Sequence, residues 1–358
     1  MRTPLVVVTG VDTMAMDSTL MSLAWDLPRA VSVRHHIDPH SQVLTRVVSD
    51  ADGIVEKEHI QLEHACVSCA LREDILPTLE RLARDDRWSA IVSGLPTATE
   101  AGQLSHALGT NSRLARHLKL SSVVAAVGGG GVVRDLLSDD TLQERCVHTN
   151  PDDDRGVGEV ACAQIEFADV VVLDTDPGAE ATDLVRAMAR PDAPLVTGAD
   201  QLDGAALTAQ RHQSTLAHQW CAAETNVAAP ALGSSRAWRL DLSSSRPFHP
   251  ERLLDRIELL GTGAHRSRGS FWLPTRPGAL LEWSGAGGQL SIGSYSAWGR
   301  RTPLTRLIFT GLGQPPSTLG PAFEDILLTP QEAQLDHHSW SVLEDGLEPW
   351  LGDIRDVA

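Results

Sequence analysis

One pattern governs the first two hundred residues: short, almost unbroken apolar runs separated by stretches of helical spacing. The runs are Leu5–Thr9, Ala30–Val33, Ala90–Ser93, Ser122–Val127, Asp169–Leu173 and Leu195–Thr197. Val, Ala and Ile without polar alternation mark strands covered on both faces. Interleaved with helices, they predict an α/β fold, a doubly wound and mostly parallel sheet that meets its ligands beyond the carboxyl ends of the strands. Leu44–Ile60 departs from the pattern: its alternation is broken by Asp50-Ala51-Asp52-Gly53, so it reads as a hairpin. Leu71–Ala83 carries Leu71, Ile75, Leu76, Leu79 and Leu82 at helical spacing, and Pro77 fits only if the regular helix starts near Leu76.

The first strand runs into Thr9-Gly10, and a helix-like stretch resumes near Ser18-Thr19-Leu20. That is the outline of a phosphate-binding loop, in which backbone amides and a helix N-terminus cradle phosphates while a lysine reaches the β/γ oxygens and Ser/Thr holds Mg²⁺. Gly10, Ser18 and Thr19 are in place. The second glycine and the lysine are not; the lysine position falls on Met16 or on Asp17, and an aspartate there repels phosphate.

The stretch Glu63–Ile75, "EHACVSCALREDI", holds Cys66 and Cys69 at C-x₂-C spacing between the hairpin and a helix. Two thiolates so spaced share one tetrahedral Zn²⁺, and a helix start lowers thiol pKa. A single pair needs further ligands, and His64 and Glu63 are nearest. The other cysteines, Cys146, Cys162 and Cys221, read as small buried apolar groups. His35, His36 and His40 crowd the end of the second strand and read as a solvated loop cluster, and His337-His338 as surface.

A chain of 358 residues with 42% hydrophobic content buries two cores. Residues 1–202 form the α/β domain, 203–236 a helical and linker segment rich in Ala, Gln, His and Ser, 237–342 a smaller α+β domain, and 343–358 a loose acidic tail. The second domain should contain strands around Ala237–Leu242, Gly269–Leu273, Leu280–Ser284, Gln289–Gly293 and Arg306–Thr310, interrupted by a helix at Pro250–Leu260. A net charge of −17 argues against a broad grip on nucleic acid; a ribosome would be reached through a local basic patch or a partner protein. No apolar leader or bilayer-length run is expected to direct the chain away from the cytoplasm.

Taken together these residues resemble the CobW family of metallochaperone-like P-loop GTPases. "EHACVSCALREDIL" follows the family's cysteine block with Ser68 in place of one cysteine, and "SGLP" (Ser93–Pro96) stands at the switch motif without its glutamate. "QIEFADVVVLDTD" (Gln164–Asp176) leads to the base-recognition position, where Asp174-Thr175-Asp176 replaces N-K-x-D. "RPFHPERL" (Arg246–Leu253) and "RSRGSFWLP" (Arg266–Pro274) are similar to the family's C-terminal domain. The resemblance implies a P-loop NTPase-like domain followed by a CobW-type C-terminal domain. It implies a zinc site at Cys66, Cys69 and His64, and a degenerate GTP/Mg site at Gly10, Ser18, Thr19 and Asp176. The lost lysine, glutamate and Asn remove most of the electrostatic stabilisation of hydrolysis, so GTP is expected to bind weakly or not at all. The actinobacterial branch, which this version resembles, implies recruitment of a ribosome hibernation factor (protein Y) to the ribosome under zinc starvation. The alternative is an active GTP-dependent zinc metallochaperone.

Overall fold

The computed structural model describes residues 2–64, 66–222, 230–233, 235–335 and 337–354, and divides into two compact units. The first comprises residues 1–135 and 140–221, the second 136–139 and 222–358.

The first unit is an eight-stranded sheet. Its strands are β1 (Thr3–Thr9), β2 (Ala30–Asp38), β3 (Val43–Asp50), β4 (Gly53–Gln61), β5 (Ala90–Gly94), β6 (Leu118–Val127), β7 (Val170–Leu173) and β8 (Leu195–Thr197), in the order β4-β3-β2-β5-β1-β6-β7-β8. From β2 to β8 every pairing is parallel; β3 and β4 add the antiparallel hairpin at one edge. β1 is therefore interior, with Val6 opposite Val92 of β5 and Ser122 of β6. Its residues feed two cores in turn. Leu5 and Val7 pack with Val31, Ile91, Ile75 and Leu79, whereas Val6 and Val8 pack with Val92, Val124 and the inner side of helix α1 (Thr13–Asp26), at Ala15, Met16, Leu20 and Leu23. Burying both faces explains the unbroken Val and Ala runs.

The cysteine block begins with the short helix Val67–Ala70, passes through a π turn at Leu71–Ile75 and becomes regular at Leu76–Arg84. Pro77 sits in the first turn of that last segment, the place where its missing N–H costs nothing.

The second unit is an antiparallel sheet of β9 (Ala237–Ser244), β10 (His265–Phe271), β11 (Ala279–Ala286), β12 (Gln289–Ala297) and β13 (Thr305–Leu312), ordered β12-β11-β10-β13-β9. Its core joins Phe271, Trp283 and Phe309 of the sheet to Leu253 and Leu260 of helix Pro250–Gly261 and to Phe323 of helix Leu319–Ile326. Buried Trp283 donates its indole N–H to Ser267 at 2.9 Å.

Several sequence expectations are corrected. β2 continues to Asp38, so His35 and His36 are strand residues on opposite faces, His35 buried and His36 exposed, rather than a solvated cluster. Cys146 is exposed and adopts φ 54°, and Cys221 is half-buried, while Cys162 is buried as expected. Residues 204–221 of the expected helical and linker segment form helices Gly204–Ala209 and Ser214–Cys221, and they belong to the first unit rather than standing between the domains. The stretch after 343 is not loose where it is described. Asp345 pairs with buried Arg276 at 2.9 Å, and Leu347 and Leu351 enter the second core. Four residues apart, the two leucines share one side of the chain, a spacing that the acidic composition masks. The side chains of His337 and His338 lie outside what is described. Among the described residues, no helix is long and apolar enough to cross a membrane.

Candidate functional site

The carboxyl ends of β1, β6 and β7 meet at the loop that the sequence marks as phosphate-binding, and the chain fills that loop with its own groups. Asp12 is the N-cap of α1, and its carboxylate accepts from the amides of Met14 at 2.8 Å and Ala15 at 3.0 Å. Its carbonyl takes the amide of Met16 at 3.0 Å. These are the N–H groups a phosphate would use. Met16, one of the two candidates for the lysine position, is buried and turned inward: a Cβ on Gly10 would stand 3.0 Å from its Cγ and 2.4 Å from the carbonyl oxygen of Ala126. Asp17, the other candidate, pairs with Arg34.

Neighbouring loops close over the same place. The switch-like segment is pinned to the strand end, with the Leu95 amide bonded to the Val8 carbonyl at 3.0 Å and the Ala98 amide to the Gly10 carbonyl at 2.9 Å. Gly128 follows β6 and touches Asp12 so closely that a Cβ there would lie 2.2 Å from its carboxylate. The next amide, Gly129, donates to Asp174 at 2.6 Å, which occupies the start of the base-recognition loop. Buried Asp135 adds negative charge: burial pushes its carboxyl above the usual range, the charge of Asp12 pushes the same way, and Arg145 opposes both.

Of the expected nucleotide contacts, Gly10 is thus a close-packing glycine. Thr19 is buried and donates its hydroxyl to Ala15 of its own helix at 2.8 Å; Ser18 is exposed. Asp176 is exposed and accepts the Gly178 amide at 2.9 Å.

The cysteine pair is differently placed. Cys66 caps the helix Val67–Ala70, its sulfur accepting the Cys69 amide at 3.3 Å. Cys69 is buried, with the Arg72 guanidinium 3.8 Å from its sulfur. The hydrogen bond with Cys66 and then burial push the Cys69 thiol up, and Arg72 only partly counteracts them. The lowered thiol expected at a helix start is therefore corrected for Cys69. As a donor set the two sulfurs suit two corners of a tetrahedral zinc site. The other two corners are not assembled: among the described residues no three His, Cys, Asp or Glu side chains gather to hold a metal. His64 is exposed, and its backbone carbonyl accepts the Cys66 amide at 2.8 Å.

Residues 43–200 match the CobW/HypB/UreG nucleotide-binding domain, and residues 238–327 match the cobalamin synthesis protein cobW C-terminal domain. Over these two stretches the chain is similar to the two domains of CobW proteins. The first match begins at residue 43, beyond the self-capped loop. A protein named zinc chaperone Rv0106 from Mycobacterium tuberculosis is 29% identical over 83% of this chain and 74% of its own. A zinc-regulated GTPase metalloprotein activator 1 from Dictyostelium discoideum is 21% identical over 67% of this chain and 54% of its own. The zinc-bound YjiA GTPase of E. coli covers 91% of this chain and 99% of its own at 16% identity and a TM-score of 0.34, too loose a superposition for residue-by-residue comparison.

One constellation of the first unit has no counterpart in the sequence reading. The π turn that follows Cys69 carries Asp74 inward, where it accepts from Arg46 of β3 and faces Nε2 of buried His35 at 3.2 Å. Arg46 also reaches Thr78 at 3.0 Å and Glu58 at 2.6 Å. Burial alone would raise the Asp74 carboxyl, but His35 and Arg46 outweigh it and hold it below the usual range. The signal was present in the "R-E-D-I" run, yet only the fold shows that Asp74 sits opposite Arg46.

Proposed function

We propose that this protein is a zinc-responsive CobW-type factor without a working nucleotide cycle, which recruits a ribosome hibernation factor to the ribosome under zinc starvation. The observation that carries the first half is the occupation of the phosphate loop by Asp12, Met16 and the Gly128-Gly129 turn, while the cysteine pair keeps donors suited to zinc. With Asp12 on the helix amides and Asp135 behind it, γ-phosphate chemistry has neither its cradle nor its positive charge. Zinc is then the input left to the fold.

A groove of about 540 Å³ opens beside the pair, lined by Ser68, which stands between the two cysteines, and by Leu71, Leu76, Gln103 and Leu114. Zinc on Cys66 and Cys69 orders the loop that borders this groove, because zinc ligands must deprotonate and come together. Loss of zinc changes the groove, and so the partner surface. Residues outside the two cysteines, with His64 nearest, complete the zinc shell. A second reading, a GTP-dependent zinc metallochaperone, is favoured by the names of the relatives.

Sedimentation of ribosomes from cells grown with and without zinc separates the two. Recruitment expects this protein and the hibernation factor on ribosomes only when zinc is withheld, with GTP immaterial. Zinc transfer to a client enzyme that needs GTP, with no ribosome enrichment, overturns it.

A further inference from the structure

Helix α1 buries one face against the sheet, and among the described residues the opposite face has no partner. Met14, Met21 and Trp25 are 75%, 74% and 90% exposed, and Ser18 between them is exposed as well. At 100° per residue, positions 14, 18, 21 and 25 fall within an arc of about 60°, and they span roughly 16 Å along the axis. Their 4-3-4 spacing is a two-helix seam, with Met14 and Met21 at d positions and Ser18 and Trp25 at a positions. The buried residues Ala15, Met16, Thr19, Leu20 and Leu23 lie on the other side, so the seam is not a core face turned outward by chance. Scattered exposed hydrophobics are ordinary; three long ones on a single line are not.

Charge decides the occupant. α1 and its N-cap hold Asp12, Asp17 and Asp26 and no Lys or Arg. The short helix Ala199–Gln201 lies alongside, tied by the Ser22 hydroxyl to the Ala199 carbonyl at 2.7 Å, and the next helix is tied by the Gly204 amide to Asp26 at 2.6 Å. Those elements bring exposed Asp200 and Asp203 to the same edge. Of the cations nearby in sequence, Arg34 is paired with Asp17, and exposed Arg29 lies beyond the C-terminal end of the helix. A second copy of this chain would set the same carboxylates against each other, each chain carrying −17. We infer that the Met14–Ser18–Met21–Trp25 face of α1 is a docking seam for a basic amphipathic helix of a partner protein. Methionines suit such a face because their flexible thioethers adapt to the partner's side chains. The inference rests on neither zinc nor the ribosome.

The probe is a labelled 21-residue helical peptide with Leu along its seam and Lys on its flanks, compared with one that keeps the Leu seam and carries Glu flanks. Binding to the full chain is followed by fluorescence anisotropy. The Lys peptide should bind wild type at least tenfold more tightly than M21A/W25A, and at least tenfold more tightly than the Glu peptide binds. Ser18→Leu, which fills the one polar a position, should tighten the Lys peptide at least threefold; this gain keeps the test decisive if M21A/W25A misfolds by circular dichroism. Equal binding of the Lys peptide to M21A/W25A, equal binding of the two peptides, or no gain in S18L overturns the inference. So does a wild-type dimer in sedimentation that M21A/W25A abolishes, since the occupant would then be a second copy.

Discussion

Asp12 is the residue on which the state of the phosphate loop turns, and three substitutions separate its roles. Asp12→Ala removes both the cap and the charge. The Met14 amide, at an exposed position, is taken over by water, but the Ala15 amide is partly buried and loses a partner at 3.0 Å. Losing an N-cap costs about 1 kcal/mol, and stranding a half-buried donor carries the total towards about 2 kcal/mol. For a unit of this size that lowers the thermal midpoint by roughly 2–4 °C per kcal/mol. Asp12→Asn keeps an accepting oxygen and loses only the attraction between carboxylate and helix dipole, about 0.3–1 kcal/mol at low salt. Its deficit should vanish in about 1 M salt, where charge screening is nearly complete, whereas that of Asp12→Ala should persist. Both changes also withdraw a charge that pushes the Asp135 carboxyl up, which offsets part of the loss. Asp12→Ser restores a capping hydroxyl without charge and should track Asp12→Asn. Far-UV circular dichroism on heating, with and without millimolar GTP and Mg²⁺, reads all four proteins. Wild type should show no nucleotide-dependent shift. An Asp12→Ala protein as stable as wild type, or a wild-type midpoint that rises with GTP, refutes the self-capped loop.

Other substitutions probe the remaining features. Asp74→Ala leaves buried Arg46 and His35 facing an empty place; removing one member of a buried pair costs about 3–5 kcal/mol, the lower end applying because Glu58 remains 2.6 Å from Arg46. Urea unfolding with an unchanged m-value and a loss below about 1 kcal/mol would contradict that network. In the second unit the Arg252 guanidinium holds the Glu332 carboxyl down at about 2, from an ordinary 4.5, so its stabilisation is complete above pH 4.5 and fades as pH falls towards 2. Arg252→Gln should flatten unfolding stability across that window, and an unaltered acid limb would count against the pair. Replacing Cys66 and Cys69 together by serine should cost about 1 kcal/mol or less, since serine caps a helix well, yet remove zinc binding measured by chelator competition. Unchanged zinc stoichiometry would exclude the pair as ligands.

The sheet was legible because burial on both faces leaves little freedom in composition. A run such as Leu5–Val8 has no reading other than an interior strand, and the hairpin announced itself through Asp52-Gly53, whose glycine adopts φ 128°. The start of the regular helix at Leu76 was equally legible, because Pro77 allows few alternatives. Where local signals were weak, tertiary contacts decided. β2 ran past its expected end because Arg34–Asp38 pair with Val43–Val47 of the hairpin, a partner no local window contains. The acidic composition after residue 343 concealed Leu347 and Leu351, whose burial depends on a core formed by residues far away in the chain.

The phosphate loop shows the limit most clearly, because its sequence states which groups are missing but not what took their place. An absent lysine is compatible with an open, weakened cradle or with a closed one. The choice lies in Asp12, which reads in sequence as one more variable loop position. Only its backbone, extended at φ −100° and ψ 110° immediately before the first turn, lets the carboxylate fold back onto the amides of Met14 and Ala15. Once it does, position 128 must stay small, since a larger residue there would collide with the carboxylate. Aspartate at 12, methionine at 16 and glycine at 128 therefore form one packed unit rather than three separate losses. Restoring a lysine at 16 would accordingly fail to restore the cradle, because the helix amides would still be held by Asp12.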